Sequence, residues 1–235
     1  MEQRRYCIGA EATSDAKTHF RIWAPRCARV DVIIESPNQR SHTLKAEESG
    51  YFSALVDAPA GTRYRFRRDG DEHLYPDPGS RFQPEGPHGP SQVIDPKEFR
   101  WTDQDWKGVS REGQVLYEMH VGTFTEEGTW ETAEHFLPAL ADMGITIVEV
   151  MPVADFPGSF GWGYDGVNLF APTRLYGTPD DFRRFVDTAH RLNLGVILDV
   201  VYNHFGPDGN YLRTFSDGYF STAYKNEWGE AINFD

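Results

Sequence analysis

Gly195-Val-Ile-Leu-Asp-Val-Val-Tyr-Asn-His204 is the stretch on which the fold turns. Its aliphatic residues run almost unbroken, too briefly for a buried helix, with glycine in front and Asn-His behind. It reads as an apolar strand, begun by Gly195 and running over Val196–Tyr202. One acid sits inside it. An ionised carboxylate among aliphatics is costly unless it is paired or hydrogen-bonded, so Asp199 requires a partner. Alternation puts Asp199, Val201 and Asn203 on one side, and His204 marks the exit.

Working back along the chain, Thr178-Pro-Asp-Asp181 opens a helix, with a capping hydroxyl, proline in the first turn and acids at the positive end of the dipole. Phe182, Phe185, Val186 and Ala189 give it an apolar stripe that stops near Leu192-Asn193. Ile145–Met151 is a second strand apolar on both sides, Glu131–Met143 carries apolar residues at helical spacing, and Val115–Val121 is a first strand. Strand, helix, strand, helix, strand implies right-handed crossovers and a parallel sheet. Gly206 to Asp235, rich in Gly, Asn, Asp and aromatics, reads as one long loop beyond the third strand.

Upstream the period changes. Phe20, Ile22 and Ala24 alternate with His19, Arg21 and Trp23; Val30, Val32 and Ile34 alternate again, and Tyr51–Val56 and Tyr64–Phe66 follow. Period two with turns at Ser36-Pro37-Asn38, Pro59-Ala60-Gly61 and Asp69-Gly70 indicates a small sandwich. Prolines 76, 78, 84, 87, 90 and 96 then mark an irregular connector, neither strand nor helix. The boundary falls near its end. Residues 1–97 form the first domain and residues 98–235 the second.

The chain has 235 residues, with 23 Lys+Arg against 36 Asp+Glu and a formal charge of −13. That charge repels phosphate backbones and anionic lipid, so neither nucleic acid nor membrane is an expected partner. No apolar run approaches the roughly 18–20 residues of a membrane span, and residues 1–30 show no signal-peptide core. Two cysteines, Cys7 and Cys27, make neither a disulfide framework nor a zinc set. A reduced, cytoplasmic chain is expected. The histidines lack zinc spacing, and Asp208-Gly209-Asn210 lacks the regular acids of a calcium loop. No metal and no cofactor is expected.

In a parallel α/β barrel chemistry gathers at the strand carboxyl ends. Here these are His120-Val-Gly-Thr-Phe-Thr, then Met151-Pro-Val followed by Gly161-Trp-Gly-Tyr-Asp-Gly166, and Asp199 to His204. Asp199 with Asn203 and His204 makes a polar site floor, or else an acid held by a backbone amide beside a packing histidine. The glycines at 161, 163 and 166 expose Trp162 and Tyr164 as flat faces on which sugar rings stack, or else those aromatics close a small core. The glycine pattern lacks the helix and acid of a dinucleotide fingerprint.

These pieces together resemble the α-amylase superfamily of glycoside hydrolases. Asp199-Val-Val-Tyr-Asn-His204 matches its third-strand signature. Within it the chain is most similar to the malto-oligosyltrehalose trehalohydrolases, through Asp77–Gln92, Tyr117–Thr125, Gly161–Pro172 and Trp228–Asp235. Branching enzymes share the architecture and are the nearest alternative; a non-catalytic glucan-binding fragment is another. The resemblance implies an all-β immunoglobulin-like, glucan-binding accessory domain followed by the first part of a (β/α)8 TIM barrel of about three strands. It implies that Tyr164 stacks under the sugar at the cleavage subsite, that Trp162 joins that aromatic lining, that His204 hydrogen-bonds the sugar's hydroxyls, and that Asp199 braces the site through an arginine on the next strand. The substrate implied is maltooligosyl trehalose or another α-1,4-glucan. Retaining hydrolysis needs two carboxylates about 5–5.5 Å apart; the resemblance implies that the nucleophilic Asp, the acid/base Glu and a transition-state-stabilising Asp lie on strands four, five and seven. The expectation is therefore that this chain holds no catalytic residue and is inactive alone. It follows that residues 1–97 fold cooperatively, while residues 115–235 expose open edges and pack poorly.

Overall fold

Alternation along Lys17–Trp23 (β2) buries Thr18, Phe20 and Ile22 and leaves the residues between them half-covered. The computed structural model describes residues 4–13 and 16–234; Asp235, the last residue of the fourth motif, lies outside them. β2 pairs with Gly9–Ala12 (β1), and Tyr51–Asp57 (β6) pairs with β2 and with Lys45–Ala46 (β5), all antiparallel. Val30–Ile34 (β3), Arg40–Thr43 (β4), Arg63–Arg68 (β7) and Ser91–Gln92 (β8) make the second sheet, in the order β4-β3-β7-β8. The two sheets form an immunoglobulin-like sandwich around Phe20, Ile22, Val30, Val32, Ile34, Phe52, Tyr64 and Phe66.

Two features of the sandwich depart from simple alternation. All five residues of β3 are buried, because Arg29 and Arg67 lie over Asp31 on its outer side. Burial alone would raise the Asp31 carboxyl. Hydrogen bonds from Thr43, Arg67 and Arg29 outweigh it and hold the group below its ordinary value. The proline connector does contribute a strand, β8, on the edge of β7. Its Asp77 is fully buried and accepts from Tyr64 Oη at 2.6 Å and from the Gly79 amide at 2.7 Å. A core tyrosine needs a partner for its hydroxyl, and Asp77 supplies it. Desolvation pushes the Asp77 carboxyl up to about 6, against those hydrogen bonds.

Residues 116–198 carry the parallel sheet, Leu116–Met119 (β9), Ile147–Val150 (β10) and Gly195–Leu198 (β13), with β10 in the centre. It is the opening part of a (β/α)8 barrel and is not closed. Between β10 and β13 the chain also forms the small pair Ala154–Asp155 (β11) and Asn168–Pro172 (β12). The strands and helices are shorter than their sequence pattern. Val121–Phe124 (α1) begins directly after His120, ending the first strand early. The helix expected over 131–143 is two pieces, Trp130–Glu134 (α2) and Leu137–Asp142 (α3). Pro138 cannot donate to Glu134, and its ring crowds that carbonyl, so the helix breaks there. Pro179–Arg191 (α4) is as expected, with the Thr178 hydroxyl accepting from the Asp181 amide and Asp181 Oδ2 accepting from the Thr178 amide at 2.7 Å. Phe185, Leu137, Trp130 and Val148 pack between helices and sheet, and Trp130 stacks on Phe182 at 4.2 Å. No helix among the described residues is long and apolar enough to cross a membrane.

The tail is not one loop. His204–Phe205 (β14) pairs with Glu230–Ala231 (β15), and Leu212–Phe215 (α5) and a 3-10 turn at Asp217–Tyr219 lie between. This tail returns to the sandwich. Phe215 is fully buried in the sandwich core, edge-on to Tyr75 at 5.9 Å. Tyr219 Oη donates to the Trp23 carbonyl at 3.0 Å, and Arg68 donates to the Thr214 carbonyl at 3.2 Å. The expectation that residues 1–97 are self-sufficient meets a physical obstacle, since a residue 118 positions beyond them fills their core. On this geometry Phe215→Ala opens a cavity in the sandwich. Urea or thermal unfolding followed by Trp23 fluorescence should show a loss of about 3–5 kcal/mol; an unchanged midpoint would mean the interlock carries no stability.

Candidate functional site

Register places the strand ends at one level. Val150 pairs with Met119 on one side and Leu198 on the other, so His120, Met151 and Asp199 follow side by side at the carboxyl edge. The Met151 amide donates to the Met119 carbonyl at 3.0 Å and the Asp199 amide to the Val150 carbonyl at 2.9 Å. Pro152 then ends the ladder, because it has no amide to donate. For this reason Asp199 stands just past β13. It is half-exposed, not buried inside an apolar strand as its sequence suggests.

The glycine loop is held over these ends from two sides. His120 Nε2 lies 3.0 Å from the Gly161 carbonyl and 2.9 Å from Tyr176 Oη, and its Nδ1 lies 3.0 Å from Thr123 Oγ1. Burial raises the Tyr176 phenol to about 12, so it remains neutral there. From the other side Arg174 donates to Asp155 Oδ1 at 3.1 Å, to the Phe156 carbonyl at 3.3 Å and to the Gly158 carbonyl at 2.9 Å. Asp155 is fully buried, and desolvation pushes its carboxyl up to about 6 despite the neighbouring guanidinium. Gly163 has φ of +90°, and a Cβ there would lie 1.8 Å from the Pro152 carbonyl oxygen. Only glycine allows the loop to pass so close to the strand end.

Trp162 and Tyr164, on either side of Gly163, are 72% and 41% exposed. They present rings to solvent and do not close a core. Tyr164 Oη donates to Asp199 Oδ2 at 3.4 Å, which brings the second and third strand ends together. Desolvation and the Asp199 charge both hold the Tyr164 phenol above its ordinary value. His204 is buried in β14, and its Nδ1 has no hydrogen-bond partner among the described residues. Trp228, just before β15, is 74% exposed. The structure thus joins Tyr164 to Asp199 directly, keeps Trp162 at the rim and seats His204 one layer deeper. His120, Tyr176, Asp155 and Arg174 are the supports that motif reading passed over. His120 alone had a signal, its position at a strand end. Among the described residues no group of three His, Cys, Asp or Glu side chains is placed to hold a metal ion.

Residues 93–228 match the model of the α-amylase catalytic domain, and residues 7–94 match carbohydrate-binding module 48, the isoamylase N-terminal domain. The chain is 46% identical over 229 residues to a malto-oligosyltrehalose trehalohydrolase of Saccharolobus solfataricus, covering 97% of this chain and 40% of that protein. It is 44% identical over 219 residues to the Deinococcus radiodurans protein described in the same words, covering 93% of this chain and 36% of that one. A crystal structure of a putative α-amylase from Salmonella typhimurium superimposes with a TM-score of 0.90 at 43% identity, over 96% of this chain and 38% of that one. The chain therefore spans about two fifths of the length of these relatives.

The Asp155 carboxyl has a folded value above its unfolded one. The stability it contributes is complete below about pH 4 and is lost as pH rises through about 6. Relative to Asp155→Asn, the parent chain should lose on the order of 2–3 kcal/mol between pH 4 and pH 8. Urea titrations of both proteins across that range check it, and a pH-independent difference would contradict the buried-acid account.

Proposed function

The chain belongs to the α-amylase family, and on that footing we propose that it forms the sandwich and first three barrel strands of a malto-oligosyltrehalose trehalohydrolase. The reaction is hydrolysis of the α-1,4 bond next to the terminal trehalose of maltooligosyl trehalose, releasing trehalose. The observation that carries this reading is the Tyr164–Asp199 contact at the level strand ends, with Trp162 open beside it. Its support from likeness is the 44–46% identity to two proteins of that name across more than nine tenths of the chain.

In this reading each side chain acts on the sugar through ordinary forces. The Tyr164 ring lies under the apolar face of the pyranose at the scissile bond, and its hydroxyl is fixed by Asp199. Trp162 extends that platform at the rim. His204, whose buried Nδ1 lacks a partner among the described residues, serves a sugar hydroxyl. The proton donor and nucleophile of a retaining mechanism face each other about 5–5.5 Å apart; the family carries them on later strands, and the sheet described here holds the first three. Residues 1–97 then form the glucan-binding accessory domain and residues 98–235 the start of the catalytic domain. The two thiols, Cys7 exposed and Cys27 buried, are both free, which supports a reducing cytoplasmic setting.

The test is trehalose release from maltooligosyl trehalose by the complete enzyme containing this chain. Tyr164→Ala should lower kcat/KM on the order of 10–100-fold by removing the platform, whereas Tyr164→Phe keeps the ring and should lose less. Iodine-staining changes on amylose with no trehalose formed would instead assign the branching reaction.

A further inference from the structure

A cavity of about 470 Å³ lies away from the strand ends, in the seam between β1, the proline connector, β12 and α4. None of Tyr164, Trp162, Asp199 or His204 lines it. The size falls within the range of small-molecule sites, about 300–1,000 Å³.

Its lining runs against the charge of the chain. Arg4, Arg5, Arg81, Lys97 and Arg183 reach it, with Glu11 and Asp95 as the carboxylates, in a protein of net charge −13. Arg4 is neutralised by Glu11 at 3.7 Å, and Arg183 pairs with Asp180. Arg5, Arg81 and Lys97 have no carboxylate partner among the described residues.

Arg81 is the organised member of this group. Its guanidinium carbon lies 4.2 Å from the centroid of the Tyr6 ring and 4.9 Å from that of Phe170. Both rings lie against the guanidinium and restrict its placement. Its N–H groups form no ion pair with an acid among the described residues, and a guanidinium can make a forked contact to an oxyanion. Trp101 is 38% exposed and adds an aromatic surface in the same lining.

We propose that this seam cavity is a second ligand site, taking a small phosphate monoester that carries a ring. The phosphate lies among Arg81, Arg5 and Lys97, where a dianion meets cationic side chains that form no ion pair among the described residues. The ring packs on the aromatic wall of Trp101 and Phe170. A sugar phosphate and a nucleoside monophosphate share this chemistry and differ only in the ring. Because sandwich, connector and α4 all contribute lining, an occupied site ties the accessory domain to the barrel.

The experiment is calorimetric titration of the chain with glucose 6-phosphate, with AMP, with inorganic phosphate and with glucose. At least one ring-bearing ester should bind tenfold or more tightly than inorganic phosphate, glucose should not bind there, and affinity should fall with salt. Tighter binding of glucose 6-phosphate identifies a sugar ester, and tighter binding of AMP a nucleotide. Lys97→Glu changes an exposed connector side chain and should weaken the ester about tenfold or more while the melting profile is unchanged. Arg81→Lys keeps the charge but loses the fork and should weaken it as well. No saturable ester binding at millimolar concentration, binding indifferent to both substitutions, or inorganic phosphate binding as tightly as the esters would each overturn the proposal.

Discussion

The pairing of Val150 with Met119 on one flank and Leu198 on the other sets the height at which three chain segments leave the sheet. Everything at the candidate site is built on that level edge. A shift of one residue would turn each strand's side chains to the opposite face, and His120, Met151 and Asp199 would no longer stand abreast. Pro152 closes the ladder at the same height, so the central strand turns away at once and its loop crosses the ends of both neighbours. Gly163 lets that loop pass against the Pro152 carbonyl, and His120 and Arg174 hold it from opposite sides. Tyr164 and Trp162 take their positions from those three restraints.

Two buried carboxyls mark where irregular chain is pinned. Asp77 fixes the connector under the sandwich through Tyr64, and Asp155 fixes the glycine loop through Arg174. Both are raised to about 6 because each sits out of water, an effect that its hydrogen bonds and the nearby guanidinium only partly offset. Unpaired, such groups would destabilise the fold; paired, they favour one arrangement of a segment that has no regular secondary structure of its own.

Sandwich and barrel segment are joined more closely than consecutive domains need to be. Phe215 completes the sandwich core, Tyr219 Oη donates to the Trp23 carbonyl, and Arg68 donates to the Thr214 carbonyl. Within the second part, Asp187 on α4 accepts from Thr102 at 2.7 and 2.6 Å and His190 stacks on Trp106 at 4.6 Å. The seam left between these fixings holds the cationic cavity, so a ligand there and the relative placement of the two parts are coupled.

Element type and order were legible in the amino-acid sequence because they depend on local periodicity. Period two marked the sandwich strands, and near-continuous aliphatic runs marked the parallel ones. Thr178-Pro-Asp-Asp181 marked its helix through a capping chemistry that needs only neighbours three residues apart. The Gly-Trp-Gly-Tyr run and Asp199 were likewise recognisable, since glycine spacing and a lone acid in an apolar strand are themselves local. What no local pattern carries is distance between remote segments. That Tyr164 meets Asp199, that Arg174 reaches back to Asp155, that His204 lies deeper than its neighbours, and that Phe215 belongs to the sandwich were decided only by tertiary packing. Pairing register and long-range burial arise from which surfaces exclude water together, and a linear pattern states each surface without saying which other one covers it.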